Sequence, residues 1–373
     1  MSSFRRNQTD HQRHPDAHTR REAGTVTMMS TPGTHRDSRL GLHAGDWVAV
    51  RSKAEILATL DERGRLDGLP FQPEMFAFCG QRLRVRKVAH KTCDTIHKTG
   101  GRRMRDTVHL EASRCDGSAH GGCQADCSFF WKEAWLTRAD QTGGDTPAPS
   151  EPRCSEADVI RAVHPPGAAP GEDPAWSCQT TALFEATDAL PWWDARQYVR
   201  DVTSGNHSAW HVTTLLLQAG YLQLLRSVPF GYRVILGLYD TFQKLRGGRP
   251  MPMAYGVIPD GQPTPAERLD LQPGELVEVK PVAEINPTIT HNGFNRGMRY
   301  DVEMAKYSGG RYRVQMRVDR LINEQTGKMM TMKTPCIQLE DVYCRAECTP
   351  RRLGCPRAMN TYWREIWLRR VPK

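Results

Sequence analysis

Eight of the eleven cysteines fall into two groups of four: Cys93, Cys115, Cys123 and Cys127, then Cys336, Cys344, Cys348 and Cys355. Thiolates are soft ligands, and four of them set tetrahedrally are what a structural zinc ion takes. The runs Cys115-x7-Cys123-x3-Cys127 and Cys344-x3-Cys348-x6-Cys355 are not paired-ribbon spacings. Three readings therefore stay open: one zinc ion per group, an iron–sulfur cluster, or unliganded thiols packed as small apolar side chains. We adopt zinc at two sites and keep the iron–sulfur cluster as the alternative. Cys79, Cys154 and Cys178 stand outside both groups. The odd cysteine count and the lack of an export signal argue against a disulfide framework.

Histidines and acids gather around the first group. His90, Asp94, His109, Asp116 and His120 are the candidate catalytic residues, since imidazole and carboxylate move protons or bind metals near neutral pH. A loop whose polar side chains surround a bound metal explains the same residues. No nucleophile–base spacing, phosphate-cradling glycine loop, nucleophile elbow or zinc-protease helix motif occurs.

These residues sit on a chain that repeats itself. Gly45, Val48, Val50, Ala54, Glu55, Ile56 and Thr59 recur as Gly274, Val277, Val279, Ala283, Glu284, Ile285 and Thr288, at a constant offset of 229 positions. Gly64, Gly68, Glu74, Met75, Gly80, Arg82, Arg84 and Val85 recur at the same offset. Trp131, Glu133, Trp135, Leu136 and Arg138 recur at 232. A unit of this length used twice implies one fold built twice. In this register Cys115 matches Cys344 and Cys123 matches Cys355, whereas Cys93 faces Ile322 and Cys348 faces Ala119. The recurring acids Glu55, Glu74 and Glu133 are expected to pair with Arg82 or Arg84 and their counterparts.

Composition and punctuation give the boundaries. Residues 1–43 are rich in Arg and His and poor in large apolar side chains, which describes a disordered basic tail; initiation at Met28 or Met29 would remove most of it. The first unit covers 44–139, a linker 140–153, a mostly helical middle segment 154–246, a Pro/Gly-rich linker 247–273, and the second unit 274–373. Within the first unit, Ser52-x-x-Glu55 has capping-box spacing, and Gln81–Val88 alternates as a half-buried strand does. Val212, Leu215, Leu216, Ala219, Leu222 and Leu225 give the middle segment an apolar helical face, suited to packing on the two units or to a protein partner. The fold class expected is α+β, with two homologous small β-barrels flanking a helical segment.

The opening Gly45-Asp46-x-Val48-x-Val50 resembles the start of the SH3-like barrels that carry KOW modules, which implies such a barrel in each unit and a nucleic-acid partner. Cys115-Asp116-Gly117-Ser118-Ala119-His120 resembles the Cys-Asp-Gly-Ser-His core of mitoNEET-type iron–sulfur proteins, with Ala119 inserted and the upstream Cys-x-Cys absent. After the tail, the chain resembles an uncharacterised bacterial family with an internal duplication, which carries no activity across. A formal charge of +9 and the basic strip Arg82, Arg84, Arg86, Lys87, Lys91, Lys98, Arg102, Arg103 and Arg105 point to nucleic acid or another polyanion. No run is apolar and long enough for a transmembrane segment, so the expected location is cytoplasmic. The expectation is thus a metal-binding scaffold with an anionic partner; the alternative is a metal-dependent or iron–sulfur redox enzyme of a biosynthetic pathway, centred in the first unit.

Overall fold

Strand β1 (Trp47–Val50) leads into helix α1 (Lys53–Thr59), which starts where Ser52 closes a capping box. Glu55 N–H donates to Ser52 Oγ at 3.4 Å, and the Glu55 carboxylate accepts from Ser52 N–H at 2.9 Å. Strands β2 (Arg65–Leu66) and β3 (Leu69–Pro70) form a hairpin around Asp67 and Gly68, both at positive φ as such two-residue turns demand. A 3-10 helix (Pro73–Phe78) follows, then β4 (Arg82–Val88), β5 (Lys91–Cys93), β6 (Gly101–Arg103), β7 (Thr107–Leu110), β8 (Trp131–Lys132) and β9 (Leu136–Arg138). This is a computed structural model; it describes residues 39–139, 153–165, 174–227, 237–241, 245 and 256–372. Most of the expected tail and of the linker 140–153 lies outside the described residues. The end of the tail does not behave as one: Leu42 is buried, and Leu40 and Gly41 donate backbone N–H groups to the Glu133 carboxylate.

The first sheet has the order β8-β7-β4-β1-β9, all pairs antiparallel. Its two edge strands are consecutive in the chain, joined only by the 3-10 turn Glu133–Trp135. Five flat strands would hold their edges roughly 19 Å apart, and a 3-10 connection of this length reaches about 8 Å. The sheet must therefore curl. β8 and β9 do not pair, so it remains an open half-barrel in place of the closed barrel expected.

The middle segment contributes helix α2 (Glu156–Arg161), strand β10 (Asp188–Leu190), helix α3 (Arg196–Thr203) and helix α4 (Ala209–Ser227). Among the described residues it adds a strand to the helices expected. Extended residues 188–190 find the open edge of β6 and complete a sheet of order β10-β6-β5. On α4, Val212 and Leu215 are buried while Trp210 and Leu217 are exposed.

The second half contains β11 (Leu276–Val279), helix α5 (Val282–Ile285), the hairpin β12 (Phe294–Asn295) and β13 (Met298–Arg299), then β14 (Arg311–Ile322), β15 (Met329–Leu339) and β16 (Leu368–Arg370). Its sheet runs β15-β14-β11-β16. Pairings fall at matching positions: Trp47 opposes Arg84, and Leu276 opposes Arg313. Val108 opposes Trp131, and Ile337 bridges to Trp363. Packing agrees as well. Trp135 Nε1 donates to Thr59 Oγ1 at 3.1 Å, and Trp367 Nε1 donates to Thr288 Oγ1 at 3.0 Å, so each buried indole keeps its one polar atom satisfied. Gly80 and Gly309 share φ near +75° (76° and 73°) and donate to Val50 O and Val279 O, a conformation that penalises any Cβ.

The halves interlock reciprocally. Gln124, in the loop after β7, accepts from Asp319 N–H and Arg320 N–H of β14 and donates to Arg317 O. In the other direction, Lys91 of β5 donates to Leu353 O at 2.9 Å and Arg86 to Pro356 O at 2.9 Å, both in the loop after β15. Each half's cysteine loop thus rests on the other half's strands. The recurring acids serve backbone donors, a histidine and other arginines (Arg51 on Glu55, Arg369 on Glu284, Arg317 on Glu365), not Arg82 or Arg84 as expected. Glu133 caps Leu40 and Gly41, Glu365 caps Leu269 and Leu271, Glu303 accepts from Cys348 N–H, and Glu74 meets His120.

Candidate metal centre

The 3-10 helix Pro73–Phe78 delivers Glu74 inward, and the loop after β7 delivers Cys115 and His120 to meet it. One ligating atom from each lies within 4.8 Å of the others. His120 Nδ1 is 2.6 Å from Glu74 Oε1, and Ala119 N–H donates to that same oxygen at 3.1 Å. Cys115 Sγ lies 3.7 Å from it and receives Gln72 Nε2 at 3.6 Å. The second carboxylate oxygen, Glu74 Oε2, is buried with no hydrogen-bond partner among the described residues. Such an orphan acceptor is costly unless something occupies it.

The loop can close this tightly because residue 117 is glycine. Its φ is +71°, and a Cβ there would stand 2.1 Å from Cys123 O. Behind Cys115 and His120 lies a cavity of about 30 Å³, whose wall also includes Cys123, Cys127, Cys178 and Glu324. That is room for one water or one ion. Burial lifts the Cys115, Cys123 and Cys127 thiols above their ordinary range. Burial also pushes Glu74 upward, but the hydrogen bond and charge of His120 outweigh it and hold the carboxyl below its usual value. Glu303, in the matching place without a histidine, is raised by burial.

The expected first group is thus brought together in part. Cys115, Cys123 and Cys127 share one cavity wall; Cys93 is elsewhere, in a buried cluster with Ala346 and Cys355 of the second half, against which Cys344 packs. Cys178 and Glu74 were missed by the grouping of cysteines. The recurrence of Glu74 as Glu303 was a signal, but it suggested a purely structural acid; nothing in the sequence around Cys178 marked it. In the second group Cys336 sits on β15, 3.4 Å from Arg364 Nη1, and Cys348 meets Gln218 and the Glu303 region.

Of the catalytic candidates, only His120 joins this site. His90 Nε2 is buried 3.3 Å from Asp201 Oδ1. Asp94 accepts from Ile96, His97 and Thr99 in its own loop; these bonds overcome burial and hold it at about 2. His109 is fully buried against Phe129 O, and burial drives its pKa well down. Asp116 is an exposed loop residue that accepts from Ser118 N–H. They form no common centre: His90 faces helix α3, Asp94 and Asp116 hold turns of their own loops, and His109 ties β7 to Phe129.

The basic strip is largely engaged within the fold. Arg86 reaches Pro356 O, Lys91 pairs with Asp201, Arg102 donates to Phe184 O, Arg103 pairs with Asp194 and Arg105 with Asp188. Arg82 stacks over Trp47. No helix among the described residues is long and apolar enough to cross a membrane. Compared with family models, curated proteins and solved structures, the chain matches none.

Proposed function

We propose that this chain is a zinc-binding scaffold in which the ion occupies the Glu74–Cys115–His120 site and secures the first cysteine loop. The observation that carries this is the unpartnered buried oxygen of Glu74 beside a histidine, a thiol and an ion-sized cavity. Both His120 nitrogens face oxygen atoms, Glu74 Oε1 and Ser177 O. A cation taking the place of the proton shared with Glu74 would satisfy both carboxylate oxygens and release that proton. Cys123, Cys127 and Cys178 line the same cavity and supply further soft donors. The site would join the loop after β7 to Ser177–Cys178 of the middle segment, a long closure of the kind a metal clip stabilises. Two half-barrels from one duplicated SH3-like unit are the frame this reading assumes.

Elemental analysis of the full chain, purified without chelator, tests it. Zinc that falls by one equivalent in Glu74→Gln and in His120→Ala supports the reading; a metal content indifferent to both overturns it. Brown protein would favour an iron–sulfur cluster. The enzyme reading keeps one observation of its own. A cleft of about 370 Å³ shares Ala125, Cys127, Ile322 and Glu324 with the thiol-lined cavity, so a small molecule in it would lie beside the ion. A cobalt-substituted protein whose visible spectrum shifts on adding azide would mark an open coordination position and favour that second reading.

A further inference from the structure

We propose that a second soft divalent cation, zinc by its donor chemistry, is held between the two halves by Cys93 of the first and Cys344 and Cys355 of the second. Cys93 and Cys355 are buried and clustered with Ala346, with Cys344 packed against them, a looser gathering than the Glu74–Cys115–His120 group. Buried thiols from the two halves gathered in one place are soft donors of the kind a zinc ion takes.

The backbone around them repeats the one that lines the first cavity. Cys344 N–H donates to Met359 O as Cys115 N–H donates to Cys127 O, both at 2.8 Å. Cys355 N–H donates to Arg352 O as Cys123 N–H donates to His120 O. The crossing between halves is repeated too. Ile322, the counterpart of Cys93, reaches into the first loop and donates its N–H to Cys123 Sγ at 3.4 Å. Cys93 packs against Cys355, with a thiol where the other half has an isoleucine. Cys178 of the middle segment stands beside the first loop's cysteines, and Cys93 of the other half stands beside the second's.

An independent observation points to a cation here. Glu303 is 2 % exposed; its Oε1 accepts from Cys348 N–H at 2.5 Å, while Oε2 is buried with no partner among the described residues. Its negative charge bears on both Cys344 and Cys348. Arg352 and Arg357 bring positive charge towards Cys93, which offsets the excess of three thiolates over a dication. Binding breaks three S–H bonds, forms three sulfur–metal bonds and releases three protons to solvent, with no change of oxidation state. None of these residues belongs to the site around His120, so each assignment can fail alone.

The full chain, stripped by chelator under reducing conditions and titrated with cobalt(II), tests the proposal through thiolate-to-cobalt charge-transfer absorbance, with zinc counted by native mass spectrometry. We expect two ions per chain. Cys93→Ser and Cys344→Ser should each lose one, His120→Ala should lose only the other, and Cys336→Ser should keep both, with far-ultraviolet circular dichroism confirming the fold. A Cys93→Ser protein that folds and keeps its full metal count overturns the proposal. In the unsubstituted protein, zinc should slow maleimide labelling of Cys93, Cys344 and Cys355. Labelling rates at these three that ignore zinc, or a Cys93–Cys355 disulfide that survives in reduced, zinc-loaded protein, would also overturn it.

Discussion

Removing the Asp201 carboxylate should destabilise the protein far more than removing an exposed acid that also pairs with a lysine. Lys91 Nζ lies 2.6 Å from Asp201 Oδ2, with side chains 4 % and 2 % exposed. The same ammonium donates to Leu353 O of the second half and lies over the Tyr198 ring. Asp201→Asn leaves a buried ammonium with one carbonyl and one ring, and stranding a buried charge in this way costs about 3–5 kcal/mol. Lys53 and Glu156 meet at 2.9 Å with 44 % and 47 % exposure, so Glu156→Gln should cost at most about 1 kcal/mol. Urea unfolding of both variants provides the comparison, read from the shift in midpoint at constant slope. The double variant Lys91→Met/Asp201→Leu should recover most of the loss, since it removes both charges. The reasoning fails if Asp201→Asn costs no more than Glu156→Gln, or if the double variant is no better than the single.

Gly117→Ala should abolish metal retention at the first site and cost at least about 1–3 kcal/mol through backbone strain, because the new Cβ meets Cys123 O and the φ is positive; metal analysis and urea unfolding read the two effects. Trp135→Phe keeps a six-membered ring but removes the pyrrole N–H and leaves Thr59 without its donor, an expected loss of at least about 1 kcal/mol in the same unfolding assay. Burial lowers His109 well below 6.5, and burial helped by the nearby Lys87 charge lowers His207 to about 4. Both are bases whose folded pKa is depressed, so the unfolded chain binds more protons and stability falls as pH drops from about 6.5 towards 4. Thermal midpoints across that window should fall, and His207→Gln should flatten the slope; a midpoint that rises on acidification would contradict this.

Local signals were legible where one residue type has one physical use. Ser52 and Glu55 announce a cap and form one, and the alternation of residues 82–88 becomes β4. Recurring glycines mark backbone that needs positive φ, as Gly80 and Gly309 show. Trp131 and Trp135 recur as Trp363 and Trp367, and all four are among the most buried side chains. Illegible from spacing was anything that depends on the halves crossing. Cys93 is closer in sequence to Cys115 than to Cys355, yet β5 carries it to the second loop. Extended residues 188–190 look like coil until the free edge of β6 is available to pair with them.

That crossing also explains why the two cysteine loops are unequal. If each loop were completed by its own half, matching positions would face the same demands and would be expected to keep the same residues. Here each is completed by the other half and by the middle segment, which is present once. Position 93 faces the loop of Cys355 and is a thiol; position 322 faces the loop of Cys123 and is an isoleucine, with Cys178 on the remaining side of that cavity. The acids follow the same logic. Glu74 has His120 against it and is held below its usual pKa, whereas Glu303 has only backbone donors on the same side and is raised. One half therefore presents an acid–histidine pair with a thiol, and the other a carboxyl that burial holds above its usual range. With equal access to metal, the first site should fill before the second as pH rises from acid, because Glu74 is lowered and Glu303 raised, so the Glu74 carboxyl loses its proton at the lower pH. Cobalt titrations of the full chain at stepped pH, separated into two components by His120→Ala and Cys93→Ser, should show that order; simultaneous filling at every pH would contradict the inequality drawn from Glu74 and Glu303.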